Sequence, residues 1–374
     1  MRCVTVSISD GKEDHKRSFA IEDITVVCRH TECPDPVFDP NDRRNEHHVL
    51  VRVRAFSCNY RDLAMAYYLL KSGENGVRSP FGSEFSGEVV AIGLGVKTLT
   101  PGDIVTGDYS YPSPRSIQGV DTMDVLPGVP TNKASCQLAV FHEAKLCKVP
   151  TGVRVETAAA FALNAQTVYA MVRRLSLSPD DSVLVTAGRS NVALFAMQLL
   201  SLMKIRTVTV TTSPSSVPKL QEMGHAQVVL VERPVDNLLS YPVLRRIVRD
   251  TNGFAGVVDP LSDVYLLPVL DLMRAGGRYI TCGAACQLPR VRENHPEVSG
   301  GMTRLHDRIL SKNISVMGNC IGESEDIDRA MADLSEGSMG VLVDSTHEQG
   351  GEMDFFERTF FDTDRFGKVI YKFD

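Results

Sequence analysis

The chain of 374 residues contains no tryptophan, so a ligand cannot be followed by quenching of indole fluorescence. No apolar run approaches the ~20 residues of a membrane-spanning helix, and residues 1–19 lack the apolar core of a secretory leader. A cytoplasmic protein with no membrane partner is the expectation. There is no basic cluster and the net charge is −6, which argues against nucleic acid as a partner, because binding phosphate by bulk electrostatics needs an excess of Lys and Arg. The nine cysteines are scattered and form no Cys-x-x-Cys pair. An odd number without a framework fits reduced thiols, and with no paired motif no metal is expected.

What is present is an ordinary globular composition, 43% hydrophobic and 23% charged, long enough for two or three domains or one bilobal enzyme. The most informative stretch is 181–212, DSVLVTAGRSNVALFAMQLLSLMKIRTVTVTT. Val183, Leu184 and Val185 suit a buried strand. Ala187 to Asn191 make a tight turn, a helical pattern runs through Val192, Leu194, Phe195, Leu199 and Leu200, and a β-branched run follows over 207–211. Strand, turn, helix and strand in this order form the βαβ unit of a dinucleotide-binding fold. Its turn aims backbone N–H groups and a positive helix end at a pyrophosphate. Of the G-x-G-x-x-G glycines only one survives, with Ala193 as the packing substitute. By itself the turn serves equally well as a ligand-free parallel-sheet turn.

Before this unit the pattern is that of short strands and turns, implying a compact, mostly β first domain. A strand is expected over 21–27, and a loop over 33–44. Val49, Val51 and Val53 alternate with polar or outward residues as in a strand. A helix is expected to follow Asn59, then turn-plus-strand at 80–93 and 101–105, a long loop over 110–135, and a strand over 137–149. After residue 156 helices alternate with buried strands, the signature of a doubly wound parallel sheet. The helices are expected over 156–175 with a break near Asn164, and at 218–223, 237–248, 264–274 and 325–335. The strands are expected at 227–231, 254–259, 278–282 and 314–317, with a terminal strand at 368–373.

The order and spacing of Asn59-Tyr60-Arg61-Asp62, the run from Gly82 to Gly93, Pro101-Gly102-Asp103-Ile104-Val105, the helix with Asn164, Gln166, Thr167 and Tyr169, the βαβ unit, the run from Gly276 to Gly283, and Phe366-Gly367-Lys368-Val369 resemble the medium-chain dehydrogenase/reductase superfamily. The resemblance implies an α/β chain. A GroES-like β-rich catalytic domain takes 1–155 and 320–374, and a Rossmann doubly wound domain takes 156–319. It also implies a homodimer paired through the strand at 314–317. Zinc-dependent relatives carry Cys and His-Glu where this chain has Asn59 and Ser83-Glu84, and the four-cysteine structural zinc lobe is missing. The chain therefore resembles the zinc-free branch of quinone oxidoreductases and enoyl reductases, and Asn-Tyr-Arg-Asp is close to the Asn-Phe-Arg-Asp of polyketide-type enoyl reductases.

That resemblance implies a reductase that moves hydride from NADPH to an activated C=C bond of a small-molecule or carrier-linked substrate. Without zinc the developing enolate needs a hydrogen-bond donor or acid; Tyr60, Tyr67 and Tyr68 are the candidates. Asn59 fits either a substrate or ribose contact or a helix N-cap. Asp62 fits a cleft residue or a first-turn anion, and Glu84, kept beside the zinc in relatives, is expected to bond neighbouring backbone. The cofactor set is Gly188, Arg189, Ser190, Asn191 and Val192 at the phosphate turn, with Gly283, Ala284, Asn164 and Thr167 near the nicotinamide and Lys368 near the cleft. NAD-selective sites place a carboxylate at the end of the second strand. Here Thr212, Ser213, Ser216 and Lys219 stand there with no acid, which favours a 2′-phosphate. Two other readings stay open: a zinc-free carbonyl, alcohol or imine oxidoreductase, and a non-catalytic member of the family that binds or scaffolds.

Overall fold

The structure is a computed structural model that describes residues 1–9, 17–73, 79–110, 134–288 and 301–373; most of the loop expected over 110–135 lies outside them. The chain divides into two compact units, Met1–Gln166 with Glu323–Asp374, and Thr167–Gly322.

In the first unit the β-branched runs make strands. β1 (Arg2–Ile8), unforeseen in the sequence, pairs antiparallel with β3 (Ile24–Glu32), and β2 (Phe19–Ile21) pairs with β3 in turn. The expected strand over 21–27 is thus a hairpin, because Glu22, at φ 58°, reverses the chain. β4 (His48–Ser57) buries Val49, Val51 and Val53 as its alternation predicts and leads into α1 (Tyr60–Ser72). β5 (Ser79–Pro80) closes the first sheet, in the order β2-β3-β1-β5. β6 (Glu84–Ile92) runs antiparallel to β4, and β7 (Ile104–Gly107) to β6. The expected strand over 137–149 is two strands, β8 (Leu138–His142) and β9 (Leu146–Lys148). A 3-10 turn separates them, where His142 Nδ1 accepts from the Ala144 N–H at 3.1 Å. The helix expected over 156–175 is also two pieces, α2 (Val155–Ala158) and α3 (Ala162–Leu175), broken ahead of Asn164 rather than at it.

The second unit is a parallel sheet of β10 (Ser182–Val185), β11 (Arg206–Thr211), β12 (Gln227–Leu230), β13 (Phe254–Asp259), β14 (Met273–Thr281) and β15 (Ser315–Gly318), in the order β12-β11-β10-β13-β14-β15. α4 (Asn191–Leu202), α5 (Val217–Met223), α6 (Pro242–Thr251), α7 (Ser262–Leu270) and α8 (Gly301–Lys312) alternate with the strands. Read from the first strand outward, this order reverses between β10 and β13, which is the doubly wound arrangement with its switch point. Leu184, Val208, Val257, Leu270 and Tyr279 are among the buried residues of its core. The helix expected over 264–274 stops at Leu270, since Lys312 Nζ caps the carbonyls of Leu270 and Asp271, each at 3.1 Å. Arg274 belongs to β14 and pairs with Asp181 at 2.8 Å.

The chain then returns to the first unit through α9 (Ser324–Ser335), β16 (Val343–His347), α10 (Glu352–Phe360) and β17 (Lys368–Lys372). β17 pairs antiparallel with β4 and parallel with β16. α10, not foreseen, seats two fully buried rings. Phe355 lies 5.2 Å from Phe56 and 5.7 Å from Tyr371 between centroids, and Phe356 lies 5.8 Å from Phe81. Removing a ring from such a cluster forfeits burial and leaves a cavity, a loss of about 3–5 kcal/mol. Phe355→Ala is expected to lower the denaturant midpoint of the first unit accordingly; a loss below ~1 kcal/mol would show that α10 is not part of this core.

Candidate functional site

In the first unit the polar residues gather on one carboxylate. Glu84 opens β6 and is fully buried. Lys368 opens β17, is 1% exposed, and donates from Nζ to Glu84 Oε2 at 2.7 Å and to Asn59 Oδ1 at 3.1 Å. Asn59 Nδ2 donates to Glu84 Oε2 at 3.2 Å, and Asn164 Nδ2 to Asn59 Oδ1 at 2.9 Å. The Leu163 N–H reaches Glu84 Oε1 at 3.0 Å, and Ser57 Oγ stands 3.2 Å from Oε2. The backbone bond anticipated for Glu84 is therefore present, and the cation is the addition. An ammonium only donates, so Lys368 fixes the Asn59 amide with its oxygen inward, and that in turn fixes Asn164. Gly367 makes the approach possible: at φ 112° its Cβ would lie 2.4 Å from the Leu342 carbonyl oxygen.

Asn59 is also the N-cap of α1, one of the two roles anticipated for it. Its N–H donates to Asp62 Oδ2 at 2.7 Å, and Ser83 Oγ donates to the same oxygen at 2.8 Å. Asp62 is buried, its Oδ1 has no hydrogen-bond partner, and burial raises its pKa above the usual carboxylate range. The tyrosines of α1 part company. Tyr67 is buried, and its hydroxyl donates to Asp23 at 3.0 Å. Tyr60 and Tyr68 are each 43% exposed.

In the second unit the turn after β10 has Ala187 at φ 48°. Gly188 donates its N–H to the Val210 carbonyl at 2.9 Å, and a Cβ there would meet Thr209 Oγ1 at 2.5 Å. The one surviving glycine is thus required by strand-to-turn packing. Ser190 caps α4, its Oγ accepting from the Ala193 N–H at 3.1 Å. Asn191 and Val192 supply the first-turn amides that a helix leaves without an internal partner, and Arg189 beside them is half-buried. At the end of β11, Ser216 is buried and its hydroxyl stays in the turn, 2.8 Å from the Ser213 carbonyl and 3.1 Å from Thr211 Oγ1. That local bonding removes it from the anticipated phosphate set. Ser213 Oγ lies 3.1 Å from Ser215 Oγ, and Lys219 is exposed on α5. Thr212 Oγ1 accepts from Arg233 Nε at 3.2 Å, which brings an exposed guanidinium from the loop after β12 to this corner. Turn chemistry of this kind, a helix N-terminus with hydroxyls and a guanidinium beside it, could hold the phosphates of a nicotinamide dinucleotide.

The switch point itself is polar. Asp259 at the end of β13 is fully buried and accepts from Thr186 Oγ1 at 2.5 Å, the Tyr279 hydroxyl at 2.5 Å and the Leu261 N–H at 2.8 Å. Burial outweighs these bonds and pushes it up to about 6. Beyond β14, the carboxylate of Asp263 receives the N–H groups of Ala285 and Cys286 at 2.8 and 2.7 Å. The same loop is held at Gly283, whose carbonyl accepts from Ser262 N–H at 3.0 Å. Gly283 and Ala284 thus sit in a fixed loop. Thr167 is buried in α3. Asp259, Asp263, Tyr279 and Arg233 were missed in the sequence; the one signal was an acid ending the otherwise apolar strand Phe254–Asp259. Among the described residues no group of three or more His, Cys, Asp or Glu could hold a metal.

The raised Asp259 makes stability depend on pH. The folded chain keeps a proton there that the unfolded chain releases near pH ~4. The stabilisation is complete below that pH and is lost as pH rises through about 6. Asp259→Asn keeps an acceptor for Thr186 and Leu261 and carries no charge. It is expected to be more stable than the parent at pH 7.5, by at most ~3 kcal/mol, with the gap closing towards pH 4. Thermal melts at the two pH values read this directly, and a gap of equal size at both would refute it.

Residues 45–151 match the alcohol dehydrogenase GroES-like domain. The mitochondrial enoyl-[acyl-carrier-protein] reductase of Bos taurus is 26% identical over 250 residues, 65% of this chain and 59% of that one; the Homo sapiens protein is 25% identical over 215 residues, 56% and 51%. The chain thus spans between half and three-fifths of the length of these relatives. The acryloyl-coenzyme A reductase of Metallosphaera sedula is 25% identical over 327 residues, 83% of this chain and 87% of that one. The fold is that of a quinone oxidoreductase from Pseudomonas syringae, at TM-score 0.70 and 18% identity over 100% of both chains. An NAD-dependent alcohol dehydrogenase gives TM-score 0.74 and 21% identity over 100% of this chain and 99% of that one. In its sheet order and in these matches, the chain is similar to the medium-chain dehydrogenase/reductase superfamily.

Proposed function

We propose that the protein is an NADPH-dependent reductase that works without zinc on a C=C bond activated by a neighbouring carbonyl: an enone, a quinone or an enoyl thioester. The observation that carries this reading is the Lys368–Glu84 pair closed on Asn59. An internal ammonium neutralises the glutamate, and an amide and a hydroxyl, Asn59 and Ser83, stand where zinc-dependent relatives have a thiolate and an imidazole. Such a set does not polarise an isolated carbonyl as a Lewis acid does. A conjugated alkene is already polarised by its own carbonyl and asks the protein only for hydrogen bonds to a delocalised enolate. The relatives named as enoyl and acryloyl-coenzyme A reductases support the same substrate class.

When bound, NADPH supplies the hydride. The chain's part is to hold the reactants and provide the proton. Of the two Asn59 amide hydrogens one goes to Glu84, and the other is the donor left for substrate. Tyr67 is buried and bonded to Asp23; Tyr60 and Tyr68 are the more exposed tyrosines of α1, and one of them or water protonates the α-carbon. The amides of Asn191 and Val192 take the pyrophosphate. Arg233, Thr212 and Ser213 take the 2′-phosphate in place of Ser216. For assembly, the exposed edge strand β15, with Val316 outward, supports pairing into a homodimer.

Titration by NADPH fluorescence or calorimetry tests the cofactor reading; no binding of NADPH or NADH at millimolar concentration would leave the scaffold reading. A panel of enones, quinones, enoyl thioesters and aldehydes then tests the substrate class, and turnover confined to aldehydes would favour carbonyl reduction. A charge-assisted bond to phosphate is worth about 1.5–3 kcal/mol. Arg233→Ala is therefore expected to weaken NADPH binding by roughly 10–100-fold and to leave NADH binding unchanged. Equal weakening of both would remove Arg233 from the 2′-phosphate site.

A further inference from the structure

We propose that Cys3, Cys33 and Cys136 form a thiol relay through which a low-molecular-weight disulfide, glutathione disulfide being the probe, converts Cys3 and Cys136 into a cross-strand disulfide. All three lie in the first unit, apart from any residue assigned to the cofactor or substrate. Cys3 and Cys136 face each other in an isolated antiparallel bridge. The flanking bonds, Val4 N–H to Ser135 O and Gln137 N–H to Arg2 O, both 2.9 Å, lie on either side of the pair. The two cysteines are therefore a non-hydrogen-bonded pair, whose Cα atoms stand about 4.5 Å apart, inside the ~4.4–6.8 Å that disulfides span. Their Sγ atoms are 3.2 Å apart, so bonding needs a side-chain adjustment and no movement of the strands.

Both of those thiols are buried and out of reach of a tripeptide disulfide. Cys33 is half-buried, and its backbone N–H donates to the Met1 carbonyl at 2.9 Å; one step beyond the Arg2–Glu32 pairing of β1 with β3, it stands on the Cys3 face of the sheet, diagonally across from Cys3. It is the entry point. The Cys33 thiolate attacks glutathione disulfide, forming a mixed disulfide and expelling glutathione thiolate. Cys3 attacks the Cys33 sulfur and expels the second glutathione. Cys136 attacks the Cys3 sulfur and returns Cys33 to a thiol. Two protein thiols are oxidised, one glutathione disulfide is reduced to two glutathiones, and the thiol protons pass to the departing thiolates. Burial pushes the Cys33 thiol up to about 11, so exchange is slow at neutral pH and the trio stays reduced until an oxidising poise persists. The bond, once made, ties β1 to the residues that lead into β8.

Trypsin places the three cysteines in separate peptides, 3–12, 30–43 and 134–145. The full chain is equilibrated with glutathione buffers of rising oxidised fraction, alkylated and mapped without reduction, with exposed Cys320 reporting arrival of the oxidant. The expected wild-type endpoint is one linked species of 3–12 with 134–145, while 30–43 remains alkylatable. Cys33→Ser is expected to reach the same endpoint at least about tenfold more slowly, and Cys136→Ser to link 3–12 with 30–43 instead. Peptides 3–12 and 134–145 that stay separate after Cys320 is fully glutathionylated would overturn the proposal. So would a wild-type endpoint linking 3–12 with 30–43, or an undiminished rate in Cys33→Ser.

Discussion

The first unit depends on a buried charge being answered. Glu84 is fully buried, and an unpaired carboxylate in such a place would cost several kcal/mol. Lys368 answers it from β17, and the rest follows from the ammonium having only hydrogens to give. Asn59 must turn its oxygen inward, Asn164 must follow, and α1 begins where Asn59 and Asp62 bond one another. The ion pair thus sets an amide in place, and the amide sets a helix start.

The second unit handles a buried carboxylate differently. Asp259 has no cation within its hydrogen-bonding shell, only two hydroxyls and one N–H. Donors without charge do not offset the loss of solvation, and the group rises towards neutrality. The hydroxyls of Thr186 and Tyr279 and the Leu261 N–H, all fixed on Asp259, give the switch point a polar floor.

Much of this was legible in the sequence because periodicity and turn chemistry are local. The strand at His48–Ser57, the βαβ unit and the alternation after residue 156 follow from β-branched runs and apolar spacing. The misplacements have local causes too. A residue at positive φ turned one expected strand into a hairpin, and Lys312 stopped a helix short from across the fold. The candidate site was legible in part. Asn59, Asn164 and Lys368 were each singled out, but the network that joins Asn59 and Lys368 to Glu84 and Asn164 to Asn59 was not, since no pattern along the chain says which polar residues will share a partner. Ser216 read as a phosphate ligand because nothing in sequence shows a hydroxyl folding back on its own turn. Arg233 was invisible because its neighbour Thr212 lies at the end of another strand.

The glutamate and lysine of the ion pair are 284 residues apart. A ribosome therefore releases the carboxylate long before its counter-ion exists, with the whole contiguous span Thr167–Gly322 made in between. Domains fold as units as they emerge, so the second unit can complete itself while β4 and β6 still wait for β17. For that interval the nascent first unit carries a carboxylate it cannot bury, and its folding is held open until the last strand arrives.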